Sequence, residues 1–229
     1  MLKPLSPART AGLIYLVVVL TGIVSLAYVP SQLIDLSNAA QTISNIRGSL
    51  DLFRLGIAAG FVCYIAFLLL PLALYQLLAH VDRRAALLMV LLAIVSVPIS
   101  LANFAHKLDV LTLLSDNAYL LNMPDEQLQR SVMLSIAQYN NVILVAEIFW
   151  GLWLLPFGYL VFKSNMLPKI LGVFLMLGCF GYLIDVFGRT LFPDFPQGAF
   201  ASNVTTPAAI GEIGTCLWLL IFGAREKQT

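Results

Sequence analysis

The fold is decided by residues 134–162, LSIAQYNNVILVAEIFWGLWLLPFGYLVF, a long apolar run whose only charged side chain is Glu147. The run exceeds the roughly 20 residues with which an α-helix crosses a hydrocarbon core of about 30 Å. It is also too continuously apolar for a membrane β-strand, in which lipid-facing and interior residues alternate. The stretch is therefore predicted to be a transmembrane helix.

Five further stretches have the same length and character, so we predict an all-α protein, a polytopic membrane helix bundle. The predicted transmembrane helices are Thr10–Val29, Arg54–Ala79, Ala85–Ala105, Leu134–Phe162, Leu167–Phe187 and Thr205–Gly223. A helix bundle follows because backbone groups in lipid must satisfy their own hydrogen bonds. The six spans are expected to form a single integral-membrane domain over residues 1–229.

The composition excludes several classes of protein. The chain is 60% hydrophobic and 11% charged, whereas soluble domains carry about 25% charged residues. A net charge of +1 gives no reason to expect a nucleic-acid partner. The three cysteines, Cys63, Cys179 and Cys216, lie in apolar stretches and form no C-x-x-C pair. With only His80 and His106 available as histidines, we predict no metal site and no cofactor.

The distribution of lysine and arginine predicts the orientation. Short loops and tails on one side carry Lys3, Arg9, Arg83, Arg84, Lys163, Lys169, Arg225 and Lys227. Longer loops on the other side carry Arg47, Arg54, Lys107, Arg130 and Arg189. Because positive residues collect in cytoplasmic loops, both termini are predicted to be cytoplasmic. The connections Pro30–Phe53, Phe104–Met133 and Gly188–Val204 then face outward.

The first apolar run has two interpretations. It extends from Ala11 to Val29, longer than the 7–15 apolar residues of a signal-peptide core, which favours an uncleaved anchor helix. Cleavage near Ser25-Leu26-Ala27 stays open as the alternative.

Two shorter helices are predicted outside the spans. Pro124, followed by Asp125 and Glu126, is typical of a helix start that continues into the fourth span. A short helix is also expected within Ser31–Asn45.

A pattern of Gly, Leu, Pro and Trp runs from Glu147 into the fifth span. It comprises Gly151-Leu152-Trp153-Leu154-Leu155-Pro156, Gly158-Tyr159-Leu160-Val161, Leu167-Pro168-Lys169, Leu171-Gly172-Val173 and Gly181-Tyr182-Leu183-Ile184-Asp185. Together with Ala11-Gly12-Leu13-Ile14-Tyr15-Leu16, this pattern resembles the bacterial domain-of-unknown-function family 4386. The resemblance implies a multi-span protein of the bacterial inner membrane. It carries no catalytic residue across.

Polar side chains mark a candidate site towards the outward side of the spans. A carboxylate at the membrane centre costs about 2.5–3.5 kcal/mol, so Glu147, about 16 Å beyond Ile136 along its helix, needs a reason to be there. Asn140 lies two turns away on the same face, and Asp185 and Arg189 have ion-pair spacing. The candidate ligand-pocket residues are Glu147, Asn140, Asn141, Glu212, His106, Asp185, Arg189 and Arg54. For Arg54 and Lys107, snorkelling to lipid headgroups is the favoured interpretation.

Three roles stay open for Glu147: a neutral carboxyl bonded to a backbone carbonyl, a partner of Arg54, Lys107 or Arg189, and a lining residue of a ligand or proton path. The first functional hypothesis is an accessory protein that binds a lipid or small apolar ligand in an outward-facing polar pocket. The second is an intramembrane enzyme on a lipid-like substrate with Glu147 as acid/base. The third is a proton-coupled transporter. Membrane lipids are the expected partners, and the sequence predicts no particular oligomeric state.

Overall fold

All regular structure in the described part of the chain is helical. The computed structural model describes residues 6–115 and 123–224. Its helices are α1 (Pro7–Gly22), α2 (Val29–Leu33), α3 (Ala39–Gly48), α4 (Leu50–Leu78), α5 (Arg83–Leu113), α6 (Asp125–Leu152), α7 (Leu154–Ser164), α8 (Lys169–Leu191) and α9 (Thr206–Ile221). A π-helical segment, Ile23–Tyr28, joins α1 to α2, and a 3₁₀ turn, Phe195–Gln197, follows α8. The prediction of an all-α chain is confirmed for these residues.

Within the described residues, five helices are long and apolar enough to cross a membrane. They are Pro7–Leu33, Leu50–Leu78, Arg83–Leu113, Asp125–Ser164 and Lys169–Leu191, and each contains most of one predicted span. The sixth predicted span coincides with α9, a shorter apolar helix of 16 residues. Several helices are longer than the apolar runs that predicted them, because they continue into polar residues at one end of the bundle.

Both predicted shorter helices are present, with shifted bounds. The helix expected at Pro124 begins at Asp125 and runs without interruption into the fourth span, as predicted. The helix expected within Ser31–Asn45 is α3, which starts at Ala39 because Asn38 caps it by accepting a hydrogen bond from the Gln41 backbone N–H.

The helices close into a ring. Contacts run from α1 to α4, α5, α6, α8 and α9 in that order, and α9 packs back on α1. Glycines permit the closest approaches: a side chain at Gly158 would meet the Gly172 carbonyl, and one at Gly60 would meet Phe104 and Ser25. Small residues at helix crossings allow such contacts in membrane bundles.

The two ends of the bundle differ in their filling. At the end formed by the close of α4 and the start of α5, Leu74, Leu78, Met89, Trp153 and Phe157 are fully buried. At the other end, α4 begins and α5 and α8 finish, and polar side chains enter the interior. We call this the cavity end.

Two local irregularities shape the interior. The π-helical segment Ile23–Tyr28 interrupts the first membrane helix, and such segments are frequent at functional sites because they displace backbone carbonyls. The fourth membrane helix breaks at Trp153, three residues before Pro156. Since proline has no backbone N–H and its ring crowds the preceding turn, a break there is expected.

Asp82 caps α5 at the end opposite the cavity end, and this predicts a pH dependence. Its carboxylate accepts hydrogen bonds from the backbone N–H groups of Ala85 and Arg84, which lower the pKa of Asp82 below its usual 3.8. A lowered pKa contributes stability above the unfolded-state value that is lost as the pH falls through the folded-state value. Wild type is therefore expected to melt at a higher temperature than Asp82→Ala at neutral pH.

The melting-temperature difference between the two proteins should shrink below about pH 3.8. Thermal melting in detergent over a pH series measures it. The two proteins differ only at residue 82, so a difference that does not change with pH would contradict the capping role.

Candidate functional site

A cavity of about 680 Å³ lies within the cavity end. We call it the main cavity. Its wall is built from the π-helical segment, the starts of α2 and α4, the end of α5, the middle of α6, the end of α8 and the turn before α9. Most of these parts are far apart in the sequence, and the packing of the helices brings them together. Most of its surface is aliphatic and aromatic, including Leu26, Ile34, Phe53, Ile136 and Ile143.

Glu147 lines the main cavity from α6. Its Oε2 atom is buried and has no hydrogen-bond partner among the described residues. The side chain therefore neither bonds a displaced carbonyl through this atom nor forms an ion pair within 4 Å in the described ranges.

Asp185 and Arg189 form the predicted ion pair on the last turns of α8. Arg189 Nε donates a hydrogen bond of 2.7 Å to Asp185 Oδ2. The aspartate side chain is 5% exposed, whereas the arginine side chain is 46% exposed. Both residues line the main cavity, and Asp185 Oδ1 is a buried atom without a partner among residues 6–115 and 123–224.

Lys107 enters the main cavity from α5, and here the sequence-based interpretation was wrong. The residue is 6% exposed instead of reaching out to headgroups. Its Nζ donates a hydrogen bond of 3.3 Å to the Ser25 carbonyl, which belongs to the π-helical segment. The same Nζ lies 4.2 Å from the centre of the Tyr139 ring and 5.3 Å from that of Phe104. The lysine therefore fastens α5 to the irregular part of the first membrane helix.

His106 and Asn140, two of the candidate residues, also line the main cavity. His106 Nδ1 is buried without a hydrogen bond among the described residues, and its nearest acid is Asp109, with Oδ2 at 3.8 Å. Asn103, one turn before His106, is buried and donates a hydrogen bond of 2.9 Å to the Tyr139 carbonyl. That bond fixes α5 against α6 beside the cavity.

Glu212 lies apart from this group. It lines a second cavity of about 340 Å³ between α1, α4 and α9, and accepts a hydrogen bond of 3.3 Å from the Tyr15 hydroxyl. Trp150 and Tyr182 contribute to the walls of both cavities. The second cavity is thus a neighbour of the main cavity, and Glu212 has a protein partner that Glu147 lacks.

Two predicted site residues are misplaced. Arg54 is exposed and pairs with Asp51, with 3.5 Å between Nη1 and Oδ1, instead of reaching Glu147. Asn141 is exposed and absent from the lining of both cavities, because it follows Asn140 by one residue and so faces about 100° away around the helix.

Several lining residues were not chosen from the sequence. They are Lys107, Ser135, Tyr139, Trp150 and Tyr182. Trp150 is three residues from Glu147, and Tyr182 is three residues from Asp185, so helical periodicity places each on the same face as a chosen acid. That spacing was the available signal. No comparable spacing in the sequence indicated the contact of Lys107 with the π-helical segment.

The length and apolar composition of the helices indicate a membrane protein. The chain belongs to the family described as domain of unknown function (DUF4386), which matches residues 10–223. The resemblance predicted from the pattern around Gly151–Asp185 is therefore confirmed.

One relative is an uncharacterized protein of Archaeoglobus fulgidus, 27% identical over 93 residues. That alignment covers 41% of this chain and 53% of the relative, so the chain spans about half the length of the curated relative it matches. No solved structure matches the chain.

Proposed function

We propose that this protein is a six-span protein of the bacterial inner membrane that binds a lipid or small apolar molecule in an outward-facing cavity. The observation that carries the proposal is a group of four buried polar atoms without hydrogen-bond partners in the described ranges, all on residues that line the main cavity. They are Glu147 Oε2, Asp185 Oδ1, Tyr139 Oη and His106 Nδ1.

Unsatisfied buried polar atoms are rare in folded proteins and each costs about 1–3 kcal/mol. Four of them on the residues of one cavity wall favour a bound molecule, which can supply hydrogen bonds once these side chains turn towards it. The volume of about 680 Å³ lies within the range of roughly 300–1,000 Å³ typical of small-molecule sites. An apolar wall with a few polar groups is also typical of such sites.

The lining favours a molecule with an apolar body and a polar group. Leu26, Ile34, Phe53, Ile136 and Ile143 can cover aliphatic chain, and the polar atoms can fix a head. Membrane lipids have this character and are present at high concentration around the protein.

The sixth span and the orientation belong to the same proposal. The 16 residues of α9 extend about 24 Å, and a span somewhat shorter than the membrane core is accommodated by local thinning at modest cost. Its contacts with α1 and α8 support a sixth span packed against the others. The short turns opposite the cavity end carry Arg83, Arg84, Lys163 and Lys169 in or beside them, and such short, positively charged loops support cytoplasmic termini. Lys3, Arg225 and Lys227, which the sequence analysis assigns to the same side, lie outside the described residues.

The first test is native mass spectrometry of the detergent-purified protein, wild type beside Glu147→Gln. We expect wild type to retain a small molecule that the variant loses, because the variant replaces the unpartnered carboxyl in the cavity wall. Glu126→Gln is the matched control: Glu126 is on the same helix, is exposed, and pairs with Arg130. It should retain the molecule as wild type does.

A second outcome would contradict the proposal. If none of the three proteins carries a molecule and Glu147→Gln alone melts at a lower temperature, Glu147 is a structural carboxyl and the proposal fails. Loss of the molecule from Glu147→Gln without a lower melting temperature supports the binding role.

An enzyme acting on a lipid-like substrate is the second candidate, favoured by one specific observation. Glu147 and His106 line the same cavity, and each has a buried atom without a hydrogen-bond partner in the described ranges. Acid–base catalysis needs such groups near a reacting atom. Conversion of the molecule retained by wild type, absent in both Glu147→Gln and His106→Gln, would support catalysis over simple binding.

A further inference from the structure

Lys107 is a buried cation that lines the main cavity without a carboxylate partner in the described part of the chain. Among residues 6–115 and 123–224, the ion pairs within 4 Å are those of Arg54, His106, Arg130 and Arg189. The contacts of the Lys107 ammonium are the Ser25 carbonyl at 3.3 Å and the faces of Tyr139 and Phe104. All of these are uncharged groups.

These contacts satisfy the ammonium only in part. A lysine ammonium has three N–H donors, and the Ser25 carbonyl takes one. Aromatic faces attract a cation but accept no conventional hydrogen bond. Buried charges are normally neutralised by an opposite charge, because removing an ion from water is costly. The side of Lys107 that faces the cavity therefore has capacity for an anion.

Arg189 adds a second cationic group to the same wall. Its guanidinium has five N–H donors, and the one on Nε bonds to Asp185 Oδ2. The side chain is partly exposed and lines the main cavity. Arginine suits phosphate and carboxylate groups because of its planar, forked donors.

We propose that the ligand of the main cavity is an amphiphile whose anionic head group, a phosphate or a carboxylate, binds the Lys107 ammonium. This inference rests on the proposed function and narrows its ligand class. The apolar tail lies against the aliphatic wall that includes Leu26, Ile34 and Ile136. A neutral or purely apolar molecule leaves the lysine charge uncompensated.

Thermal melting in a neutral maltoside detergent tests the inference with four probes: dodecyl phosphate, dodecanoate, dodecanol and inorganic phosphate. We expect the first two to raise the melting temperature of wild type by about 5 °C at saturating concentration, through binding to the folded state alone. Dodecanol and inorganic phosphate should produce no comparable rise. Because this comparison uses wild type, it decides the question even if a variant fails to fold.

Variants then assign the effect to Lys107. Lys107→Gln should lose the stabilisation by dodecyl phosphate, and Lys107→Arg should retain most of it because the charge remains. Lys169→Gln is the control, since Lys169 is an exposed lysine at the first residue of α8, opposite the cavity end. It should respond as wild type does.

Each contrary outcome has its own meaning. Equal stabilisation by dodecanol overturns the anionic head group but leaves the proposed cavity function intact. Equal stabilisation by inorganic phosphate identifies a free anion as the ligand and overturns the amphiphile. Undiminished stabilisation of Lys107→Gln by dodecyl phosphate removes Lys107 from the site. No response to any probe, together with no retained molecule in native mass spectrometry, overturns the proposed function itself.

Discussion

Gly158→Ala is expected to lower the melting temperature by about 8 °C, corresponding to about 3 kcal/mol of lost stability. An added Cβ at Gly158 would lie 2.6 Å from the Gly172 carbonyl oxygen and 2.8 Å from the Met176 backbone nitrogen. These are backbone atoms of α8, so no side-chain rotation can relieve the clash. The helices α7 and α8 must separate, and the separation opens the interior beside Phe157, which is fully buried.

The control for this prediction is Gly48→Ala. Gly48 is exposed on α3, and an added Cβ there would meet no atom within 4 Å. Alanine favours helix over glycine by about 1 kcal/mol, so this variant should melt at the wild-type temperature or slightly above it. The same propensity gain acts on Gly158→Ala, and a loss there must come from packing. Equal melting of both variants in detergent would contradict the close approach of α7 and α8.

Arg189→Gln is expected to destabilise the protein by about 2 kcal/mol or more, because it leaves a buried aspartate without its charged partner. The Asp185 side chain is 5% exposed, and its Oδ1 already lacks a hydrogen bond among the described residues. Losing the 2.7 Å bond to Arg189 leaves the second oxygen unpaired as well. The melting temperature in detergent measures the loss.

The chain offers a control with identical spacing. Glu126 and Arg130 also lie four residues apart on one helix, but both side chains are 78% exposed. Exposed ion pairs contribute about 0–1 kcal/mol, so Arg130→Gln should change stability little. The double variant Asp185→Asn/Arg189→Gln removes the stranded charge and should recover part of the loss. If the double variant is less stable than Arg189→Gln alone, the penalty does not come from the aspartate.

The helices were largely predictable because the hydropathy and the length of each apolar run depend only on the residues of that run. The run 134–162 could only be a buried or membrane-spanning helix, and the structure continues it from Asp125 to Ser164. The start at Asp125 followed from Pro124 and the two acids behind it. The position of the break at Trp153 was harder to predict. Pro156 predicts a kink in the helix, but the sequence does not show at which residue the helix is interrupted.

The candidate site was predictable where two residues share a helix. Asp185 and Arg189 pair as their spacing indicates, and Glu147 and Asn140 line one cavity from one face of α6. Arg54 and Lys107 were both assigned to the surface, and only Arg54 lies there. The sequence around Arg54 and that around Lys107 do not show which side chain is buried, because each is a long cationic side chain near the end of an apolar run.

The sequence by itself determined that this chain forms long apolar helices, that it belongs to its family, and that acidic side chains lie within three of the predicted spans. These properties depend on the residues of one segment and on neighbours three or four positions away. Only the tertiary structure decided that Lys107 turns inward to the Ser25 carbonyl and that Glu147, Asp185 and His106 surround one cavity. The physical reason is that a helix fixes the relative directions of its own side chains, whereas its rotation and its distance from other helices are set by packing across the bundle.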